Sequence, residues 1–200
     1  SFEGGEGSGK TTIIDLLYRD LLEQGYQVLK TREPGGSKIS EEIRKVILNI
    51  DYKEMDFRTE ALLYAASRRQ HLVEKIVPAL KAGKIVLCDR YLDASLAYQG
   101  HARGLGIDEI YRLNEYATEG ILPNVTFYVD LNPEIGLNRI RTAGRAMDRL
   151  DLEVSSFHNL VREGYLMVAK RFPERICIID GNRNIEEIHQ DIKTRILNIL

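Results

Sequence analysis

A glycine-rich segment near the start of the chain, residues 4–11 with the sequence GGEGSGKT, sharply narrows the possible folds. It fits the pattern G-x-x-x-x-G-K-[ST]. It lies between a short strand end, residues 1–3, and a helical pattern whose apolar residues recur from Ile13 to Leu22. Glycines allow consecutive backbone N–H groups to face one phosphate cluster, and the N-terminus of the following helix adds partial positive charge. The segment therefore predicts a nucleotide-phosphate site between a buried strand and a helix.

Two side chains of this segment have specific predicted roles. Lys10 is expected to reach the β- and γ-phosphates of the nucleotide, and the Thr11 hydroxyl is expected to bind Mg²⁺. The predicted contacts to the nucleoside triphosphate are Gly4, Gly5, Glu6, Gly7, Ser8, Gly9, Lys10, Thr11 and Thr12. A GTPase would normally also carry an Asn-Lys-x-Asp segment that binds guanine, and the sequence contains none.

Five apolar segments alternate with helical patterns along the chain. They are residues 1–3, 27–30, 84–89, 125–129 and 176–179. The run KIVLCD at 84–89 is almost wholly apolar, as expected of a strand that is buried on both faces. The alternation predicts an α/β fold of the P-loop NTPase type, with a parallel five-stranded sheet and helices on both faces. Residues 1–3 can form only the end of a strand, so we expect further residues upstream.

Length and composition favour a single domain that spans residues 1–200. The 28 basic and 30 acidic side chains give a net charge of −2, which argues against nucleic-acid binding through bulk positive charge. No apolar run reaches the ~18 residues that span a bilayer, and no signal peptide is visible. Cys88 and Cys177 each lie in an apolar strand-like run, where a reduced thiol behaves as a small hydrophobe. We therefore expect a cytoplasmic protein with no membrane partner.

Charged residues stand at the ends of two predicted strands, where ligands bind in parallel α/β sheets. Arg32 and Glu33 follow the second strand, and Asp89 and Arg90 follow the third. The planar guanidinium of arginine suits two-point contacts to phosphate. A motor ATPase usually has a second carboxylate where Arg90 stands, and that carboxylate orients the attacking water. An arginine there favours a kinase whose acceptor is itself an anion.

The motifs resemble those of the bacterial thymidylate kinase family, in family order, from residue 2 to about residue 151. The matching segments are FEG at 2–4, TREPGG at 31–36, EEIR at 41–44, TEA at 59–61, AASR at 65–68, DRY at 89–91, SLAYQG at 95–100 and DRLD at 148–151. The resemblance implies a nucleoside-monophosphate kinase that phosphorylates dTMP with ATP and Mg²⁺. It also implies a homodimer, which is typical of the family.

The resemblance further implies where the phosphate and sugar of dTMP bind. Arg32 and Arg90 are expected to hold the phosphate, with Arg44 close to it. Glu6 is expected to contact the region of the sugar 3′-hydroxyl. The ring of Tyr98 is expected to fill the space that a ribose 2′-hydroxyl would need.

The same resemblance implies the contacts to thymine and to the metal. Tyr64 is expected to stack on the base, and Arg68 to donate to a thymine carbonyl. The amide of Gln99 is expected to pair with the ring edge, and Ser95 is a further candidate contact to dTMP. Asp89 resembles the carboxylate that positions Mg²⁺, commonly through water.

An arginine-rich segment follows the fourth predicted strand. Residues 139–151 carry Arg139, Arg141, Arg145 and Arg149. Because the phosphate loop carries Glu6 and no arginine, a catalytic cation must come from elsewhere, and the resemblance implies that this segment is a lid that closes over ATP. Arg145 and Arg149 match the lid positions best, and their spacing of four residues would put them on one face of a helical turn. We therefore predict that they reach the transferring phosphoryl group and act with Lys10 and Arg90 as catalytic residues.

Two other functions remain open at the level of the sequence. One is a P-loop kinase for another nucleoside monophosphate, although loops of the adenylate-kinase type usually read GKGT and this one reads GKTT. The other is a nucleotide-dependent switch without turnover. Measuring ADP release with a panel of monophosphates separates the three.

Overall fold

The computed structural model describes residues 1–142, 144 and 148–200 of the chain. Within these residues, five parallel strands form one sheet in the order β2-β3-β1-β4-β5. The strands are β1 (Phe2–Glu3), β2 (Val28–Arg32), β3 (Ile85–Asp89), β4 (Thr126–Asp130) and β5 (Ile176–Asp180). The predicted α/β fold with a parallel five-stranded sheet is confirmed.

Helices connect the strands and pack on the sheet. They are α1 (Lys10–Glu23), α2 (Lys38–Leu48), α3 (Phe57–His71), α4 (Val77–Lys81), α5 (Leu92–Ser95), α6 (Ile107–Thr118), α7 (Pro133–Thr142), α8 (Ser155–Arg171) and α9 (Ile185–Leu197). Wider π-helical turns at Leu72–Ile76 and Leu96–Ala102 join α3 to α4 and extend α5. In the described part of the chain, no helix combines the length and the apolar character that a membrane span needs.

Apolar packing holds the phosphate loop, residues 4–11, in place from both ends. Ile13 and Leu17 of α1 are fully buried, and they share one core cluster with Phe2 of β1, Phe127 of β4 and Ile192 of α9. Burial of a side chain of this size contributes roughly 1.5–3 kcal/mol. The strand before the loop and the helix after it are therefore parts of one rigid layer.

The register of the strands brings the predicted site residues to one edge of the sheet. β1 is the central strand, and its Phe2 pairs with Asp89 of β3 and with Phe127 of β4. The ladder between β2 and β3 continues to the pair Arg32 and Asp89, so β2 runs two residues further than the apolar pattern indicates. The carboxyl ends of β1, β2 and β3 therefore lie side by side.

Candidate functional site

One open cleft of about 560 Å³ lies along the carboxyl edge of the sheet, which is the size of an ordinary small-molecule site. It runs from the phosphate loop past the ends of β2 and β3 to α3 and the turn after α5. The residues predicted from sequence that line it are Glu6, Gly7, Ser8, Gly9, Lys10, Thr11, Thr12, Arg32, Arg44, Tyr64, Asp89, Arg90, Ser95, Tyr98 and Gln99. The fold thus brings most of the predicted set into one cavity.

Lys10 occupies the centre of the phosphate loop. Its ammonium Nζ donates to the carbonyl oxygens of Gly4 at 3.0 Å and Gly5 at 2.9 Å and to the Ser8 hydroxyl at 3.2 Å. Burial lowers the pKa of Lys10 from 10.5 to about 8. A cation held in this way is preorganised to exchange loop carbonyls for phosphate oxygens. Gly4 and Gly5 contribute to the site through these carbonyls.

Two glycines allow the phosphate loop to lie against α7. Gly7 has a φ of +67°, and a Cβ added there would stand 2.1 Å from the carbonyl oxygen of Gly136. A Cβ on Gly136 would in turn stand 2.0 Å from the carbonyl oxygen of Glu6. Neither position has room for a side chain, so the backbone of α7 is in direct contact with the loop.

An oxygen pair suited to a divalent cation stands beside the loop. The Thr11 hydroxyl donates to Asp89 Oδ2 at 2.9 Å, and both residues line the cleft. Hydroxyl and carboxylate oxygens are the hard ligands that Mg²⁺ takes, usually together with waters and substrate phosphates. The donor set therefore fits Mg²⁺.

Arg90 is held in a strained backbone conformation at the end of β3. Its φ is +69°, a region that residues other than glycine seldom adopt. Its guanidinium donates to the Gly4 carbonyl and the Tyr165 hydroxyl, both at 3.0 Å, and pairs with the Glu6 carboxylate. Strain of this kind is concentrated at functional sites, because the surrounding contacts must compensate for it.

Arg32 and Arg44 converge on one carbonyl oxygen. Both guanidinium groups donate to the carbonyl of Pro34 at 2.9 Å, and Arg32 also pairs with Glu41 at 3.1 Å. Burial and the neighbouring charge of Arg32 lower the pKa of Arg44. Two like charges on one neutral oxygen make a favourable position for an anion.

Tyr98 belongs both to the core and to the wall of the cleft. It is 4% exposed and packs edge-on against Phe157 and Tyr165, with ring centroids 6.2 and 6.1 Å apart. Its hydroxyl donates to Glu6 Oε1 at 3.2 Å, and its ring lies against the guanidinium of Arg90. A place in the core and a contact to the sugar are therefore compatible for this residue.

Arg68 lies one layer behind the cleft, where the sequence predicts a direct contact to thymine. It is 1% exposed, and it pairs with Glu33 at 2.7 Å. Its remaining donors contact Asn114, the Tyr91 carbonyl at 3.0 Å and the Ser95 hydroxyl at 3.0 Å. Because Ser95 does line the cleft, Arg68 supports the wall through it. Its direct contact to the base stays a prediction.

The structure places Arg149, one of the two lid arginines that the sequence singles out, away from the phosphate loop. Arg149 donates to the Ile47 carbonyl at 2.9 Å and pairs with the buried carboxylate of Glu60. Its guanidinium is thus directed at α2 and α3 in this structure, and its contact to the transferring phosphoryl group stays a prediction. Arg145 lies outside the described residues.

Arg139 is the arginine of the lid segment that contacts the phosphate loop, within the residues that the structure describes. It is exposed near the end of α7, lines the cleft, and donates to the Gly7 carbonyl at 3.4 Å. In the sequence it is one of the four arginines of the lid segment, and no role of its own was predicted for it. The signal for it was Gly136, because a glycine three residues earlier on the same helix lets α7 approach the loop.

The support beneath Arg90 was not predicted from the sequence. Glu3 is fully buried and accepts hydrogen bonds from the Tyr91 backbone N–H at 2.7 Å and from the Tyr165 hydroxyl at 2.9 Å. Burial and the nearby charge of Asp93 raise the pKa of Glu3 from 4.5 to about 7. Since Tyr165 also accepts from Arg90, the three side chains form one network. The sequence did contain a signal for this network, because Glu3 is an acidic residue in a strand that is expected to be buried, and a buried carboxylate needs hydrogen-bond partners.

Comparisons with known proteins agree on one family. Residues 2–192 match the family model described as thymidylate kinase. The chain is 57% identical over 201 residues to a thymidylate kinase of Geobacillus thermodenitrificans, which covers 100% of this chain and 89% of that protein. It is 60% identical over 189 residues to a thymidylate kinase of a Geobacillus species, and this match covers 94% of this chain and 90% of that protein. The crystal structure of thymidylate kinase from Ehrlichia chaffeensis superposes with a TM-score of 0.77 at 32% identity, covering 98% and 96% of the two chains.

Proposed function

Because this chain belongs to the thymidylate kinase family, we propose that its cleft binds ATP and dTMP side by side and transfers the γ-phosphoryl group of ATP to the phosphate of dTMP. The chain is an enzyme that phosphorylates dTMP, and the proposal concerns the residues that do so. The observation that carries it is a single cleft with cations at two places. They are Lys10 in the phosphate loop and Arg32, Arg44 and Arg90 around the ends of β2 and β3.

The acceptor requires little chemical activation. A phosphate monoester has a second pKa of about 6, so the dTMP phosphate is already an anionic nucleophile at neutral pH. The task of the protein is therefore to bring two polyanions together and to offset the charge of the transition state. Arg90 and Arg32 are assigned to the acceptor phosphate, and Lys10 to the phosphates of ATP.

Mg²⁺ is the proposed cofactor, and Thr11 and Asp89 are the residues that would hold it, Asp89 through water. When bound, the ion supplies positive charge to the phosphate oxygens of ATP. The 2.9 Å contact between the Thr11 hydroxyl and the Asp89 carboxylate supports this assignment.

We assign a catalytic charge to the lid, residues 139–151. Arg139 is the described residue of this segment that contacts the phosphate loop, through the Gly7 carbonyl at 3.4 Å. That weak contact is readily exchanged for a phosphate oxygen. Arg145 and Arg149 are retained as candidates for the closed lid.

Tyr98 is proposed to exclude ribonucleotides by filling space. We expect Tyr98→Ala to raise the ratio of UMP to dUMP turnover by about tenfold, because the vacated volume admits a 2′-hydroxyl. The truncation should also lower the free energy of unfolding by roughly 3–5 kcal/mol, so kinetics are measured below the midpoint found by thermal denaturation. Tyr98→Phe keeps the ring and should leave the ratio unchanged. A ratio equal to that of the wild type in folded Tyr98→Ala would assign the residue to the core alone.

A panel of monophosphates tests the proposed function as a whole. ADP release from ATP is followed with dTMP, dUMP, dCMP, AMP and CMP. Turnover confined largely to dTMP and dUMP is the expected result. Preference for AMP or CMP would point to another nucleoside-monophosphate kinase, and absence of turnover with every acceptor would point to a nucleotide switch.

We propose that the chain forms a homodimer through the face shared by α3 and α6. Leu62 is 57% exposed and Tyr116 is 88% exposed, and both border an apolar groove between these helices. Contiguous apolar surface of this kind commonly marks a protein interface. Sedimentation velocity should give a dimer for the wild type and a monomer for Tyr116→Glu, whereas Tyr26→Glu, an equivalent change at another exposed tyrosine, should stay dimeric. A monomeric wild type would refute the proposal.

We also propose a cytoplasmic location for the enzyme. Both substrates, ATP and dTMP, are cytoplasmic metabolites, and Cys88 and Cys177 are free. Recovery of the enzyme in the membrane pellet after cell fractionation would contradict this.

A further inference from the structure

A buried carboxylate stands directly behind the residue expected to read the base. Glu60 of α3 has no exposed surface, and its Oε1 accepts a hydrogen bond of 2.9 Å from Gln99 Nε2. Gln99 is 1% exposed and lines the cleft. In the sequence Glu60 is part of the TEA motif at 59–61, and no role is predicted for it.

Two arginines pair with the same carboxylate and fix its orientation. Arg103 donates to both oxygens of Glu60 at 3.4 Å, and Arg149 pairs with Oε2. The side chains of Arg103 and Arg149 are 6% and 10% exposed. Neither arginine can accept a hydrogen bond, and an ionised carboxylate can only accept. The donor and acceptor roles within this cluster are therefore determined.

The cluster determines which way the amide of Gln99 faces. Since Glu60 can only accept, the atom of Gln99 turned towards it must be the Nε2 donor. The carbonyl Oε1 lies on the other branch of the planar amide, so it is directed away from Glu60. The group that Gln99 can offer to a ligand in the cleft is then a hydrogen-bond acceptor.

We propose that Glu60 is a positioning residue for base selection, which acts by locking Gln99 with its carbonyl oxygen towards the nucleobase. The inference rests on the proposed function of the cleft. Thymine and uracil carry an N3–H donor on their pairing edge, and cytosine carries an acceptor at N3. A locked acceptor on Gln99 favours the first class and opposes the second, because a mismatched polar pair leaves both groups unsatisfied.

Glu60→Gln should reverse this lock. Its new amide keeps a carbonyl oxygen for Arg149 and for Nη2 of Arg103 on the Oε2 side, gives up the 3.4 Å contact from Arg103 Nε, and turns its NH₂ towards Gln99. The Gln99 amide must then rotate to accept from that NH₂, which directs its own NH₂ at the base. The preference for an N3–H donor is thereby replaced by a preference for an N3 acceptor.

The test compares kcat/KM for dTMP, dUMP and dCMP in wild type and Glu60→Gln, and dCMP is also measured as a competitive inhibitor of dTMP. We expect kcat/KM for dTMP and dUMP to fall by the same factor, about 10- to 100-fold for one inverted polar contact. The ratio of kcat/KM for dTMP to kcat/KM for dUMP stays constant, since both bases carry N3–H. The kcat/KM for dCMP rises relative to both. A merely structural loss would lower all three together.

Glu153→Gln is the matched control. Glu153 pairs with the same Arg103 at 2.6 Å but takes no part in the hydrogen bond between Glu60 and Gln99, so this variant should keep the wild-type ratios. Because Glu60→Gln leaves an uncompensated charge, the variant Glu60→Gln/Arg103→Met restores the charge balance and repeats the test if the single variant unfolds.

An unchanged ratio of kcat/KM for dTMP to kcat/KM for dCMP in a folded Glu60 variant, or an equal change in Glu153→Gln, would overturn the inference. Absence of dTMP turnover in the wild type would instead refute the proposed function.

Discussion

Replacing Arg139 with alanine is expected to lower kcat by about 10³-fold, the lower end of the range for an arginine that stabilises a transferring phosphoryl group. The residue is exposed, lies at the phosphate loop and contacts the Gly7 carbonyl at 3.4 Å, so its guanidinium can be redirected to phosphate oxygens at little cost. The interaction forms mainly as charge moves in the transition state, and the affinity for dTMP should therefore change little. Steady-state kinetics and calorimetric titration with dTMP measure the two quantities separately.

Arg141→Ala is the control for that experiment. Arg141 belongs to the same helix and is also exposed, but it does not line the cleft, so kcat should stay close to that of the wild type. The Arg145→Ala/Arg149→Ala double variant completes the series. If this double variant loses kcat and Arg139→Ala keeps it, the catalytic charge comes from the distal part of the lid and the assignment to Arg139 is wrong.

The second large effect is expected for Arg90→Ala, which should lower kcat/KM for dTMP by about 10²–10³-fold. Arg90 is fixed by the Gly4 carbonyl, the Tyr165 hydroxyl and the Glu6 carboxylate, so its charge is preorganised before the acceptor binds. Alanine adopts the positive φ of this position no more easily than arginine does, and backbone strain is then nearly equal in both proteins. The loss therefore reports the guanidinium.

Arg90→Lys separates charge from geometry in this experiment. A lysine keeps the positive charge but lacks the planar fork, so we expect it to recover only part of the activity. Calorimetry should show weaker dTMP binding in both variants and nearly unchanged affinity for ATP. Wild-type kcat/KM for dTMP in Arg90→Ala would mean that the acceptor phosphate binds elsewhere.

The fold and the location of the cleft could be predicted from the sequence because both depend on local patterns. The phosphate loop is a continuous motif. Ligands bind at the carboxyl ends of the strands in parallel α/β sheets, so the positions of Arg32 and Arg90 just after two strands predict that they lie beside the loop. The end of β2 was missed by two residues, since the pairing of Arg32 with Asp89 depends on another strand.

The directions of long buried side chains could not be predicted in the same way. Arg68 turns to Glu33 and Asn114, and Arg149 turns to Ile47 and Glu60, which are all partners distant in sequence. An arginine in a motif is compatible with both a ligand contact and a buried ion pair. Only the packing of α2, α3 and α6 decides between them.

A crystal structure with dTMP and a non-hydrolysable ATP analogue in the presence of Mg²⁺ tests the central claim most directly. The account predicts that the triphosphate lies on the backbone of residues 4–11 and on Lys10, and that the dTMP phosphate accepts hydrogen bonds from Arg90 and Arg32. The γ-phosphorus and the acceptor oxygen should then face each other within one cleft. A dTMP phosphate bound away from Arg90, or two nucleotides in separate cavities, would contradict the account.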